Sequence, residues 1–508
     1  MIWKIARKDL LLNLMTFKFL VGTITCLVLT AVLTAVLLSD YQRRWKEYHD
    51  NVTADETELR ASKVYDNVTS NRRIYRRPTA LSVFSRGIES QVGDSVAINE
   101  YGIPELEGGA VAANPYLVIL QSLDLSLLYR IVLSLLALLI ACDVVSGERA
   151  SGTLMLTASG TVARHQILLG KALAGLMTLA TPLTIAFLVA ILMLSFSPAA
   201  ELAASDWVRM GIMYMASLLF ISAVFNGGLL LSCSTRHPAT SLMLGLFFWI
   251  VLAMIVPNAG GYLAAQIRPL EPVGPMNAQL SALEEKYFFK AFGESDKIPL
   301  LGHGIEHEET PFRRYTLVCD KEWIDSLLKR SAVREAIWSD YLDQSWQIEH
   351  SHIETLFTQE RLATSLARVS PVCMYENVMS ALAGTSTASC QSFIEAARTH
   401  RRHVFDYVAA KTDNRRSPSL YTPCTAADQQ VYRQYLDKKM SEEQFQQWKG
   451  RTVANLSSLD LQDCPRFEYR GNPLRDLRAG LLDLSALVFA NALFFALAFA
   501  AFMKYDVR

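Results

Sequence analysis

Along this chain the apolar residues gather into six blocks, separated by stretches of ordinary soluble composition. A helix that crosses a bilayer needs about 20 mainly apolar residues, because the hydrocarbon core is about 30 Å thick. Six segments meet that requirement: residues 17–38, 125–145, 172–196, 208–233, 241–264 and 479–503. The first follows Lys4, Arg7 and Lys8, as a signal peptide would. Its apolar run is too long for the hydrophobic part of a signal, and no small-residue cleavage site comes before Asp40 and Tyr41. It reads as a permanent span. The pattern therefore predicts an all-α polytopic membrane protein, with six transmembrane helices and two polar insertions at residues 39–116 and 266–478.

Between the spans the periodicity is helical in most places. Residues 2–13 put Ile2, Ile5, Ala6 and Leu10 near one face and Lys4, Arg7 and Lys8 off it. Residues 1–16 are thus an interfacial helix leading into the first span, or simply its charged flank. In the larger insertion, residues 278–292, 321–368, 375–412 and 426–448 show helical spacing with Pro or Gly at their edges. At about 210 residues that insertion is long enough to bury a core of its own. The smaller insertion is Arg-rich over Asn71–Arg77 (NRRIYRR), a run expected to form a solvated face.

Charge in the short links sets the orientation, because Lys and Arg concentrate on the cytoplasmic side. Lys4, Arg7 and Lys8, then Arg149, Arg164 and Lys171, then Arg236, then Lys504 and Arg508 all fall on one side of a six-span chain. Both termini, the link 146–171 and the tail 504–508 are expected in the cytoplasm. Both insertions are expected outside. Formal net charge is zero and the pI about 7.1, so no nucleic-acid partner is indicated. Of eight cysteines, Cys26, Cys142 and Cys233 lie in or beside spans. Cys319, Cys373, Cys390, Cys424 and Cys464 lie in the larger insertion, on the oxidising side. At least one disulfide is expected there, with Cys424–Cys464 the chosen pair because both lie in turn-like, Pro-adjacent segments.

Candidate chemistry is sparse. No GxxxxGK[ST] phosphate loop occurs; Gly170-Lys171 lacks both the earlier Gly and the following Ser or Thr. The chain is not expected to be an enzyme or to bind a cofactor. His303-Gly-Ile-Glu-His307 matches the H-x-x-E-H pattern of inverted zinc peptidases, which requires both His on one helical face. Gly302 and Gly304 flank the first His, and Pro299 and Pro311 bracket the stretch, so no helix and no zinc site are expected. Glu349, His350, His352 and Glu354, and His400 with His403, read as solvated helix faces rather than metal ligands. Arg130 and Asp143 sit near the ends of the second span, where an interfacial role is expected. Asn226-Gly227-Gly228 and Ser232 in the fourth span suit close helix packing.

The most informative stretch is the link 146–171. It holds an acid (Glu148), a Gly152-Thr153 break, a short apolar run from Leu154, a basic turn at Arg164, and Gly170-Lys171. A short helix presented at a cytoplasmic surface beside both charge signs suits docking of a soluble partner. Here the sequence resembles the ABC-2 type permease family, whose pattern is E-x-x-x-G-T-L, then a basic turn and G-K. Glu148, Gly152, Thr153, Leu154, Arg164, Gly170 and Lys171 fall on it; Gly160-Thr161 stands where the family usually has Pro. Ser370-Pro371, Met379, Ala383-Gly384-Thr385 and Pro465-Arg-Phe467-Glu-Tyr469-Arg470 are similar to a bacterial subgroup. Its members carry a large extracytoplasmic domain between spans five and six and are related to gliding-motility and nitrous-oxide-reductase-maturation permeases.

The resemblance implies a half-transporter of the bacterial inner membrane. Two permease subunits, the same chain or a related one, would sit on a dimer of cytoplasmic ABC ATPase subunits that bind the ATP. The link containing Glu148 would be the coupling helix, with Glu148 meeting a basic or backbone-donor site on the ATPase. The outcome would be export, or ATP-driven mechanical transmission to a periplasmic partner without solute movement.

Overall fold

In the computed structural model the described residues are 1–63, 65–69, 72–89, 93–98, 106–107, 123–158, 162–270, 272–310, 313–318, 320–411, 421–423, 425–455, 457–469 and 471–504. Among them six helical stretches are long and apolar enough to cross a membrane: Phe17–Arg60, Leu125–Ala150, Arg164–Ser195, Ala204–Ser234, Pro238–Ile267 and Leu474–Met503.

A short helix, α1 (Ile2–Leu14), precedes the first span. The first span lies in α2 (Phe17–Arg60), capped by the Thr16 hydroxyl, which accepts from the Phe19 N–H at 3.3 Å. At 44 residues, α2 is about 66 Å long, roughly twice the hydrocarbon thickness, so its second half stands clear of any bilayer. Where the apolar run ends, Tyr41 stacks on Trp45 and Tyr48 packs tilted against it, and the Arg77 guanidinium lies 4.7 Å from the Trp45 ring centre. Beyond it β1 (Arg72–Tyr75), β2 (Ser95–Ile98) and β3 (Leu106–Glu107) form an antiparallel sheet. The run 71–77 is therefore not a solvated face throughout. Arg76 is buried, and its Nη2 donates to the Gly384 carbonyl at 2.9 Å.

The second span opens at Asp124, whose carboxylate accepts from the Leu127 N–H at 2.8 Å, and widens into a π-helical turn at Tyr129–Leu133. It continues as α3 (Ser134–Ala141). Two short helices follow, α4 (Ser146–Ala150) and α5 (Thr153–Ala158). The third and fourth spans are α6 (Arg164–Ser195) and α7 (Ala204–Ser234). The fifth is α8 (Pro238–Ile250), a second π turn (Val251–Ile255) and α9 (Val256–Ile267). Spans two and four are 67% buried over their apolar windows and span five only 11%, so the former make the centre of the bundle. Small residues allow the approach: a Cβ on Gly228 would lie 2.7 Å from the Ala141 Cβ, and one on Gly245 2.9 Å from Leu138 Cδ1.

The larger insertion rises as α10 (Val273–Asp296), crosses β4 (Gly304–Thr310) and β5 (Arg313–Val318), and returns along α11 (Lys321–Ala367). At 47 residues α11 is about 70 Å long. Its last turns come down onto the fifth span, where a Cβ on Gly260 would lie 2.9 Å from the Ala363 carbonyl oxygen. The chain then turns back as α12 (Pro371–Ala383) and α13 (Thr387–Lys411). A single helix over 375–412 is thus not formed. Gly384, at φ +73°, ends α12 in a conformation that disfavours side-chain-bearing residues. The stretch 426–448 is likewise split, into α14 (Ala426–Leu436) and α15 (Glu442–Ala454), with β6 (Tyr421–Pro423) parallel to β5. The last span is α16 (Pro473–Met503). The spans are all helical, and the two small sheets belong to the insertions.

Candidate functional site

At one end of the bundle the link after the second span folds into an elbow. The span stops at Ala141, and the turn that follows would leave the first N–H groups of α4 without helical partners. The Ser232 hydroxyl, on α7, accepts from the N–H groups of Val145 and Ser146 at 3.1 and 3.0 Å and donates to the Cys142 carbonyl at 2.9 Å. Its role is to splice two chain segments, which goes beyond the packing expected of it. Arg149 Nη1 donates to the Thr235 carbonyl at 2.7 Å, at the C-terminus of α7 where a cation is favoured.

Glu148 turns inward. Its Oε1 lies 2.6 Å from Lys171 Nζ, which also lies 3.4 Å from Asp9 Oδ2. The Lys171 side chain is only 5% exposed, so one buried ammonium serves carboxylates from α1 and α4. The sequence expectation gave Glu148 a partner on a docked protein; within the chain its carboxylate pairs with Lys171. Gly170 explains the adjoining half of the motif. A Cβ there would lie 2.8 Å from Ile5 Cγ2 and 3.2 Å from the Ile2 carbonyl, so only glycine lets α1 lie on α6. Residues 2–14 form a helix packed on α6, with Ala6 buried and Trp3, Leu11 and Leu12 left exposed.

Leu154 is buried and anchors α5, whereas Gly152, Thr153 and Met155 stand exposed at the tip. Gly152, at φ +77°, makes the turn between the two short helices with open space around it. Arg164 begins α6. Lys18 Nζ pairs with Asp143 Oδ2 at 3.3 Å where both are half exposed. The motif residues thus divide into an inner clamp (Leu154, Gly170, Lys171, with Glu148 on its edge) and an outer tip (Gly152, Thr153).

A second constellation lies toward the middle of the bundle and was not anticipated. The turn between α11 and α12 dips among the spans, and α12 is wedged there with Val372, Tyr375, Met379 and Leu382 buried. The Ser370 hydroxyl donates to the Leu252 carbonyl at 2.6 Å, in the π turn halfway along the fifth span. A π turn frees a carbonyl from the regular ladder, and the wedge supplies its donor. Tyr375 stacks on Phe220 at 4.6 Å and hydrogen-bonds Ser217 at 3.0 Å, both near the middle of the fourth span.

Ion pairs hold the wedge in place. Arg130, in the π turn of the second span, pairs with Glu376 on α12. Arg368, in the turn, makes a two-pronged pair with Asp483 on the sixth span at 2.8 and 3.2 Å, and Asn377 adds a hydrogen bond at 3.3 Å. Asp483 is 2% exposed. Spans four and six are further joined by Asn226 and Asn491 at 3.1 Å. Among these groups Arg130 and Asn226 carried a sequence signal; Asp483, Glu376 and Arg368 did not.

The remaining candidates do not assemble into a site. Gly304–Thr310 is a strand, so His303 and His307 share no helical face, and His303 Nδ1 lies 3.6 Å from Asp320 instead. His350 pairs with Glu354 at 3.3 Å on an exposed helix face. His400 is buried against Phe467, and burial, with Arg72 and His403 adding to it, lowers its pKa to about 4. Among the described residues no three His, Cys, Asp or Glu side chains converge. Cys424 and Cys319 lie outside the described residues, while Cys373, Cys390 and Cys464 are buried free thiols.

One family model matches residues 3–507, that of the ABC-2 family transporter proteins. No curated protein matches the chain.

Proposed function

The chain belongs to the ABC-2 transporter family, whose members are membrane subunits of ABC transporters, and on that premise we propose that it couples ATP hydrolysis by a separate ABC ATPase to export across a bacterial inner membrane. The elbow at residues 146–158 is the coupling element. One observation carries this reading: the exposed Gly152, Thr153 and Met155 tip is mounted on a buried clamp of Leu154, Gly170 and Lys171. A tip of that kind transmits a push, because Lys171 ties it at once to α1 and to the third span. Two copies, or this chain and a related one, would sit on an ATPase dimer.

Co-purification tests it. Met155→Asp removes an exposed apolar contact and Gly152→Trp adds bulk to the tip, so each lowers recovery of the ATPase with the permease while membrane insertion stays normal. His303→Ala leaves recovery unchanged. If both tip changes are silent, the elbow is not the docking element. Sidedness follows the short-link Lys and Arg, with both termini cytoplasmic and both insertions outside. Cysteine placed at Ser95 or Ser281 is then labelled by an impermeant thiol reagent in intact spheroplasts, and labelling only after lysis would reverse that orientation.

The wedge favours a second output. Because α12 and the turn before it belong to the insertion yet are ion-paired to spans two and six, movement of the spans would be passed to the outer domain. Transmission to a periplasmic partner, without solute movement, is the alternative. ATPase stimulation in proteoliposomes by that partner alone, with no candidate solute, would select it.

A further inference from the structure

Two Arg-rich stretches that play no part in coupling meet in space. NRRIYRR at 71–77 supplies β1, and Pro465-Arg-Phe467 lies on the segment leading into the sixth span; both line one cavity of about 420 Å³. Its third wall is the outer part of α2, from Tyr48 to Arg60. The volume falls within the usual range for a small-molecule site, about 300–1,000 Å³.

The lining is divided. Val52, Leu59, Ile74, Leu461 and Phe467 give it an apolar side. Four guanidiniums (Arg60, Arg72, Arg73 and Arg466) face it with three carboxylates. Those carboxylates are already engaged: Asp55 lies 4.0 Å from Arg72 Nε, Glu56 lies 3.5 Å from Arg60, and Asp460 accepts from the Gln462 N–H. Arg72 is the innermost cation, with its side chain 18% exposed, and among the described residues its buried Nη1 has no hydrogen-bond partner. A buried guanidinium N–H left unmatched is costly unless something accepts from it, and planar oxyanions fit its fork.

We propose that this cavity binds an amphiphilic anion, an alkyl or acyl chain carrying one phosphate or carboxylate head. The head meets Arg72, and the chain lies along Ile74, Leu461 and Phe467. Position suits such a ligand: the packed rings of Tyr41, Trp45 and Tyr48 mark the end of the apolar run just below, so the cavity opens within a few turns of the headgroup layer. Its walls are continuous with the first and sixth spans, so an occupant would join those two spans through the insertion.

The test uses the full chain in phosphatidylcholine nanodiscs, with calorimetric titration of octyl phosphate, octanoate, inorganic phosphate and octyl glucoside. The expected result is saturable binding of octyl phosphate or octanoate at one site per chain. Inorganic phosphate and octyl glucoside bind at least tenfold more weakly. Arg72→Gln lowers the affinity at least tenfold, and Arg72→Lys lowers it less. Cys464 lines the same wall, so in the unaltered chain the bound anion slows its modification by a small methanethiosulfonate, read by peptide mass spectrometry. Octyl glucoside binding as tightly as octyl phosphate would mean an apolar crevice. Inorganic phosphate binding as tightly would mean a simple anion site. Either result, or the absence of both binding and Cys464 protection, overturns the proposal.

Discussion

The elbow after the second span and the wedge among the spans both join helices through buried charge, yet they are assembled from very different lengths of chain. The elbow is nearly local: Glu148, Leu154, Gly170 and Lys171 lie within 146–171, and the distant contributions come from α1 (Ile2, Ile5 and Asp9) and the end of α7 (Ser232 and Thr235). The wedge is drawn from four spans and from a helix that belongs to the insertion. Arg130 and Glu376, or Arg368 and Asp483, are more than a hundred residues apart. A local clamp fixes the geometry of a small tip. A long-range clamp makes the position of the whole insertion depend on the bundle.

The comparison breaks most readily at Arg368 and Asp483. Removing one member of a buried pair strands the other, which typically costs about 3–5 kcal/mol. Arg368→Ala leaves Asp483 with only Asn377 as a polar partner, so the thermal midpoint of the purified chain falls strongly. Replacing both residues with apolar ones (Arg368→Met, Asp483→Leu) restores most of the loss, since no charge is then buried alone. A double change no better than the single ones would mean that the pair does not act as a unit.

Lys171→Ala is the matching change at the elbow, with an expected cost of about 3 kcal/mol because two carboxylates lose their ammonium. The loss is smaller than at Asp483, since the Glu148 side chain is 26% exposed and retains water. It should be confined in space. Amide exchange rises in α1 and α4 while α12 keeps its protection; spread of exchange into α12 would show that the two regions are not separate.

This difference in range also governs how far sequence reasoning reached. Six apolar blocks are visible because spanning a bilayer needs about 20 apolar residues in a row, a property of contiguous sequence. The elbow was legible for the same reason, as an acid, a Gly-Thr break and a Gly-Lys pair at fixed spacing. What spacing could not tell is which way Glu148 turns, because Asp9 and Lys171 meet only once α1 lies on α6. The wedge was illegible. Residues 375–383 read as the start of one outer-domain helix over 375–412, and the Gly384 break was hidden by helical periodicity on either side. Asp483 carried no signal within the last apolar block, and the π turns at Tyr129–Leu133 and Val251–Ile255 leave no mark in composition.

Acid offers a way to load the wedge from outside. His400 is buried and neutral in the insertion, with a pKa of about 4 against about 6.5 for the free side chain. A lowered histidine pKa means that the unfolded chain binds more protons between those values. The stabilisation is complete above about pH 6.5 and is lost as the pH falls toward 4, by at most about 3 kcal/mol. Between pH 7 and pH 4.5 the insertion should loosen, and α12 should be cut by protease before α1 or α4. His400→Phe should flatten that dependence, and an unchanged pH profile would place the acid-sensitive group elsewhere.

The smallest effects come from one serine in each region, and they sharpen the comparison because the chemistry removed is the same. Ser232 serves two N–H groups and one carbonyl where the second span meets α4. Ser370 donates to the Leu252 carbonyl and accepts from the Val372 N–H at 3.2 Å. Each lost hydrogen bond is worth about 0.5–1.5 kcal/mol, and a buried group left without a partner costs about 1–3. Ser232→Ala leaves two amides stranded at the elbow, so about 2 kcal/mol is expected. Ser370→Ala leaves one carbonyl and one cap position, for which about 1 kcal/mol is enough. Hydrogen exchange separates them by place as well as by size, with Ser232→Ala raising exchange over 143–150 and Ser370→Ala over 371–374. If Ser370→Ala proves the more costly, the carbonyl freed by the π turn has no other donor within reach. The wedge would then be the more tightly specified of the two, despite being the one assembled from distant chain segments.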